Sequence, residues 1–395
     1  MDLIQTLIIS TLASIIPGQI LRFGAGEQGA ITLTDIFVAL TVILFILHSL
    51  LIEKTIKVPQ KIFFPIILFT LAAASSLYLS QTTFSLKEVA ISSFFLIRFL
   101  LYFLITIVVL NTVKKKQTPN WVNSFLIIGF IFAFIGFVQL IIFPDLSQLV
   151  SYGWDPHQKR IAASLLDPNY SGMIFTFLIA FSTSLYLYKK NKIYLFYSAF
   201  IFIALILTFS RSSYLACIFT VITIGLLKSA RLIAASFILF LIFFFTIPQM
   251  RERIIGAFTF DETSQARIES WQNAIKIFSD HPFFGVGFNT YRYAQAKYGF
   301  FPPGELGGHS GSGTDSSILL IFATSGIFGA AFYLMFIAAA VITFAKGAKK
   351  SYLKLASLSS FIGLLVHSQF VNSLFFPQIM VILWFILGLN LVDDN

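Results

Sequence analysis

Twenty-seven consecutive residues, Ile318 to Phe344, read "ILLIFATSGIFGAAFYLMFIAAAVITF" and contain no charged side chain. As a helix rising about 1.5 Å per residue, such a run is about 40 Å long and exceeds the roughly 30 Å of hydrocarbon in a bilayer. Similar runs recur along most of the 395-residue chain, 57% of which is hydrophobic. A water-soluble globule of this length could not hide so much apolar surface, so lipid must be the solvent for most of the chain. The Ile- and Leu-rich runs, together with 48 Phe, point to helices and not to the weak alternation of an outer-membrane barrel.

A template of about 20 residues fits near 2–18, 32–52, 61–80, 89–112, 121–143, 171–188, 193–210, 213–228, 231–248, 315–344, 355–373 and 376–391. The expected fold is an all-α polytopic membrane protein of about twelve transmembrane helices, one membrane domain over 1–395. Lys54, Lys57 and Lys61, then Lys114 to Lys116, Lys189, Lys190 and Lys192, Lys228 and Arg231, and Lys346, Lys349, Lys350 and Lys354 fall between alternate spans. The bias of basic residues toward inner loops places these segments, and both termini, on the cytoplasmic side. It also accounts for the net charge of +10 without nucleic acid. The first segment has no basic leader or cleavage site and reads as a retained span. The single Cys217 leaves no internal disulfide or cysteine metal cluster to expect. No internal repeat is evident, which argues mildly against a transporter of paired halves.

Two outer loops remain, a smaller one at 144–170 and a larger one at 249–314, and binding groups concentrate in such excursions. In the larger loop, Arg267, Trp271, Ala274, Ile275 and Phe278 form one helical stripe between Ser264 and Asp280, with Thr263 or Ser264 as the cap. This amphipathic helix is expected against the membrane with Trp271 at the boundary. Arg267 sits at the edge of the apolar face, where two readings stand: a snorkelling side chain, or a cation paired with a carboxylate or phosphate. Arg211 poses the same choice between ligand contact and structural ion pair, at the junction of two spans beside Ser210 and Tyr214. Arg160 lies seven residues before the turn-forming Asp167-Pro168-Asn169. Arg98 falls inside a span and needs a partner there.

No region offers an acidic cluster dense enough for these four arginines, and pyrophosphate attached to a lipid is the simplest species that would satisfy them together. The glycine-rich "GGHSGSGTDSS" at 307–317 adds His309 and Asp315 as protonatable groups, Asp315 having the alternative role of capping the next span. No metal-binding spacing and no nucleotide-phosphate loop occurs.

The stretches "SRSSYLA", "ARIESWQNAIKIFSDHPFFGVGFNTY" and "SSILLIFATSGIFG", in that order, resemble the O-antigen ligase and Wzy-type polysaccharide polymerase superfamily. The segments at 160–172 and 367–389 are similar to pieces of the same proteins. The resemblance implies a bacterial cytoplasmic-membrane glycosyltransferase without metal or cofactor. It would move a glycan from undecaprenyl pyrophosphate to a saccharide acceptor, as polymerase or ligase, with polysaccharide-assembly proteins as further partners. It assigns pyrophosphate binding to Arg211, Arg267 and Arg160, with Trp271, Ser210, Tyr214 and Arg98 in support. The family's histidine slot before the later glycine motif is Asp315 here, followed by Ser316, while His309 lies six residues earlier. Asp315 or His309 is thus the expected base. A lipid-linked saccharide transporter or a polysaccharide export component is the rival, since its cations would bind the same carrier.

Overall fold

A computed structural model describes residues 2–24, 29–53 and 55–394; Lys54, one of the expected inner-loop lysines, lies outside them. The chain runs α1 (Leu3–Ala13), a small antiparallel hairpin of β1 (Arg22–Phe23) and β2 (Ile31–Thr32), α2 (Leu33–His48), α3 (Gln60–Ser80), α4 (Leu86–Thr112) and α5 (Thr118–Ile142). It continues with α6 (Pro168–Lys189), α7 (Lys192–Ile206), α8 (Arg211–Lys228), α9 (Ala230–Thr246), α10 (Pro248–Phe258), α11 (Glu262–Asp280) and α12 (Tyr291–Lys297). The last three helices are α13 (Ser317–Ala345), α14 (Tyr352–His367) and α15 (Pro377–Asp394).

Eight helices among the described residues are long and apolar enough to cross a membrane: α2 with its extension to Ile52, α3, α4, α5, α6, α8, α13 and α15. A ninth arises if α9 and α10, bent by 100° at their junction, count as one span, and α1, α7 and α14 are apolar but shorter. Each of the twelve expected segments is therefore helical, while helix length alone supports eight or nine full crossings. The all-α polytopic membrane fold stands.

Polar residues placed at the ends start these helices. Asp167 accepts hydrogen bonds from the Asn169 and Tyr170 amides at the head of α6, Ser210 caps α8, Ser316 caps α13 and Ser351 caps α14. Small residues set the packing of α8 and α6 against α14. A methyl group on Gly363 would meet Thr220 Oγ1 at 2.2 Å and the Ala216 carbonyl at 2.9 Å, so the backbones of α14 and α8 touch there. On the other flank, α13 lies against α3 and α15 against α4. Arg98 in α4 is held by Asp35 of α2, with Nε to Oδ1 at 2.8 Å and Nη2 to Oδ2 at 3.0 Å. The cation needed a partner inside the bundle and has an internal one.

An arginine and a lysine mark the two ends of α8. Helix α8 begins at Arg211 and ends at Lys228, whose ammonium lies 3.8 Å over the Tyr188 ring. At the lysine end Lys354 pairs with Asp394 at 2.7 Å and Lys115 donates to the Asp393 carbonyl at 2.5 Å.

A backbone splice fixes the larger loop to the bundle. Helix α13 is broken at Gly326, where φ is 64° and ψ is −166°. The loop "HPFFGVG" that leaves α11 fills the break: the Val286 amide donates to the Ala323 carbonyl at 3.0 Å and the Gly287 amide to the Thr324 carbonyl at 3.1 Å. In return, the Ile327 amide donates to the Pro282 carbonyl at 2.8 Å. Peptide groups freed by a break within lipid must find partners in the protein, and this loop supplies them. The two short motifs are thus the two halves of one joint.

Candidate functional site

Four arginines gather around the start of α8. Arg160 comes from the smaller loop, is only 8% exposed, and donates through Nε to the Thr208 carbonyl at 2.8 Å and through Nη2 to the Phe209 carbonyl at 3.3 Å. The turn that it braces also carries Ser210, whose hydroxyl donates to Asn169 Oδ1 at 2.7 Å, and the Tyr214 hydroxyl donates to the Ile206 carbonyl. Ser210 and Tyr214 therefore shape the turn that presents Arg211. Arg211 Nη1 reaches both oxygens of Asp261, at 3.1 and 3.0 Å, and Ser264 Oγ at 3.2 Å. Asp261, and not Thr263 or Ser264, caps α11, accepting from the Ser264 amide at 2.9 Å. Burial works against its charge, yet the hydrogen bonds from Ser264 and Arg211 hold its carboxyl below the usual range.

Arg267 lies on α11 with Nε 4.0 Å from Asp315 Oδ2 and its guanidinium over the Phe370 ring. Arg253, on α10, is the member that the sequence reading missed; its carbonyl accepts from Arg211 at 3.5 Å. Its only sequence signal is an arginine on a short amphipathic stretch after Pro248. Burial, then the charges of Arg253 and Arg211, push the Arg160 guanidinium down to about 10, and burial with the same neighbours lowers Arg267 against the pull of Asp315. Arg211 Nη2 and Arg267 Nε are buried with no hydrogen-bond partner. Buried charged donors left open in this way are costly unless a ligand meets them.

Asp315 stands where this group meets a cavity of about 590 Å³. Helix α11 sets its position: the Trp271 indole donates to the Asp315 carbonyl at 3.0 Å and the Asp315 amide donates to Ser270 Oγ at 3.0 Å. Trp271 thus packs on the site, its ring 5.9 Å from that of Phe370. Asp315 does not cap α13, a role taken by Ser316, and its side chain keeps 45% of its surface. Burial, followed by Asp155 and Asp167, raises its carboxyl above the usual range, while Arg267 opposes the rise.

His309 lines the same cavity as Asp315, on a wall that it forms with Arg22 and Trp154. Its Nε2 is 3.0 Å from Arg22 Nη1, and its ring packs on Trp154 with centroids 4.6 Å apart. A guanidinium can only donate, so Nε2 is the accepting nitrogen and its lone pair is engaged. Arg98 also borders the cavity, neutralised by Asp35, whereas Arg160, Arg211 and Arg267 lie beyond its lining.

The described residues contain one group suited to a cation. Asp155, His157 and Asp167 bring ligand atoms within 4.8 Å of one another. Burial raises both carboxyls and pushes His157 down to about 4. Arg160 Nη1 stands 3.5 Å from His157 Nδ1, and its positive charge works against a metal at this position.

Residues 196–334 match the model of the O-Antigen ligase family. The matched segment contains Arg211, Arg253, Arg267, His309 and Asp315 and both halves of the splice. No curated protein matches the chain. Three of the four arginines and the raised carboxylate of Asp315 thus lie on the part of the chain that is similar to the O-antigen ligase family.

Proposed function

We propose that the protein transfers a glycan from undecaprenyl pyrophosphate to a saccharide hydroxyl, as polymerase or ligase, at the outer face of the bacterial cytoplasmic membrane. Arg211 and Arg267, backed by Arg160 and Arg253, hold the diphosphate. The acceptor oxygen attacks the anomeric carbon and the bond from that carbon to the phosphate oxygen breaks, leaving the diphosphate on its lipid. Charge grows on that leaving group, and preorganised cations in a dry site stabilise it without reorganisation. Asp315 takes the acceptor's proton. His309, its Nε2 engaged by Arg22, orients the acceptor instead of serving as base. No metal is needed in this scheme, since arginine supplies the charge.

One observation carries the reading: Arg211 and Arg267, 56 positions apart in the sequence, both bring to one group beside Asp315 a buried guanidinium nitrogen that has no hydrogen bond among the described residues. The test is reconstitution of the purified protein with a polyprenyl-diphosphate-linked saccharide and a soluble or lipid-linked acceptor. Lengthened product is expected. Movement of the labelled saccharide across the bilayer at unchanged length would favour the transporter and overturn the transferase.

The same assay has an expected pH dependence. Asp315 acts only when ionised, and its carboxyl is raised, so kcat/KM should climb with pH through a value above the usual carboxylate range. The Asp155 charge contributes to that rise, so Asp155→Asn should move the acidic limb to lower pH. A limb that stays in place would remove Asp315 as the group titrating there.

A further inference from the structure

A second cationic feature lines the cavity that Asp315 also lines. Arg22, at the hairpin that follows α1, is half-buried and uses only Nη1, in the 3.0 Å contact with His309. Its guanidinium carbon lies 5.2 Å from the centre of the Trp154 ring. No described carboxylate lies within ion-pair distance of it, and the Asp35 carboxylate is taken by Arg98. Burial, then the charge of Arg98, disfavours the charged form of Arg22, as expected of a cation short of a counter-ion. Nε and Nη2 have no hydrogen bond among the described residues, and they form a planar fork, the geometry that meets a carboxylate through two parallel hydrogen bonds. Beside the fork are the faces of Trp154 and His309, apolar surfaces against which a sugar ring can lie.

We propose that Arg22, Trp154 and His309 form a saccharide subsite that takes a sugar bearing a carboxylate, a uronic acid. One guanidinium balances one carboxylate, and the tilted aromatic pair receives the ring that carries it. The cavity of about 590 Å³ is within the size range of pockets for small organic ligands and leaves room between this wall and Asp315. The acceptor is the partner that must approach Asp315 from the cavity side, so the uronic acid belongs to the acceptor. That last assignment rests on the glycan-transfer reading; the binding preference itself does not.

The test is direct binding to the purified full-length protein in lipid nanodiscs, without donor, using methyl β-D-glucuronide against methyl β-D-glucoside. The glucuronide should bind about ten-fold more tightly, the scale of one charge-assisted pair. Arg22→Gln should abolish the preference, and Arg22→Lys, which keeps the charge but not the fork, should retain part of it. Trp154→Leu should weaken both sugars and preserve their ratio, which gives a second variant should Arg22→Gln fold poorly. Equal affinities in the wild type, no binding by either sugar, or a preference that survives Arg22→Gln would each overturn the subsite. Because no turnover is read, these outcomes are independent of whether the protein transfers glycans.

Discussion

Gly326→Ala is expected to be the most damaging single-methyl change in the chain. The backbone there has φ 64° and ψ −166°, a region almost closed to residues with a Cβ, at a cost of about 1–3 kcal/mol. The added carbon would also lie 2.1 Å from the Phe283 carbonyl oxygen and 2.5 Å from the Phe284 nitrogen, both backbone atoms that cannot rotate aside. Relief requires the loop to withdraw, and withdrawal strands the Ala323 and Thr324 carbonyls and the Ile327 amide in a place without water. Each stranded group costs about 1–3 kcal/mol, so the sum passes roughly 5 kcal/mol, beyond most point substitutions. The variant should fail to accumulate as a monodisperse species in detergent. A Gly326→Ala protein that elutes and melts like the wild type would show that the splice is not what holds the loop.

Arg267→Ala is the change with the largest expected effect on activity. Its Nε lies 4.0 Å from Asp315, buried and without a hydrogen bond, so the substitution removes a diphosphate ligand and also the charge that favours ionised Asp315. Loss of one preorganised group at a developing charge costs about 10²–10³ in rate. Transfer in the reconstituted assay should fall by that amount while membrane abundance is unchanged. Arg267→Lys should recover little, because an ammonium cannot offer two parallel donors. Full transfer by Arg267→Ala would remove this residue from the mechanism.

The parts of the fold that were legible in the sequence are those written locally. Apolar runs gave helices because a chain in lipid must satisfy its own peptide groups, and the stripe from Arg267 to Phe278 located α11 by its period. Cap positions were less legible: Asp261 and Ser316 do work that neighbouring hydroxyls or Asp315 were equally able to do. Contacts set by the fold left no periodic trace. The Arg22 and His309 pair spans 287 positions, the Arg98 and Asp35 pair 63, and nothing in either local sequence names the other. Arg253 escaped for the same reason, since nothing distinguishes it from Arg251 on the same short helix until α8 is seen beside it. The excess of arginine over nearby acid was readable, and the protein answers part of it, through Asp35, Asp261 and, more distantly, Asp315.

The splice at Gly326 has an evolutionary consequence. It is made of peptide groups, so the residues constrained are those where a side chain would obstruct it: Gly326 itself, Gly285, where a methyl would meet the Thr324 carbonyl carbon at 2.4 Å, and Gly287, where φ is 118° and a methyl would meet Ser80 Cβ at 2.7 Å. Phe283 and Phe284, 63% and 38% exposed, pack their rings on Phe328 of α13, an apolar contact that other large apolar side chains can also make. Homologues are therefore free to exchange these two for other greasy residues while their glycines stay fixed, a pattern of drift around immovable points that an alignment of relatives would register.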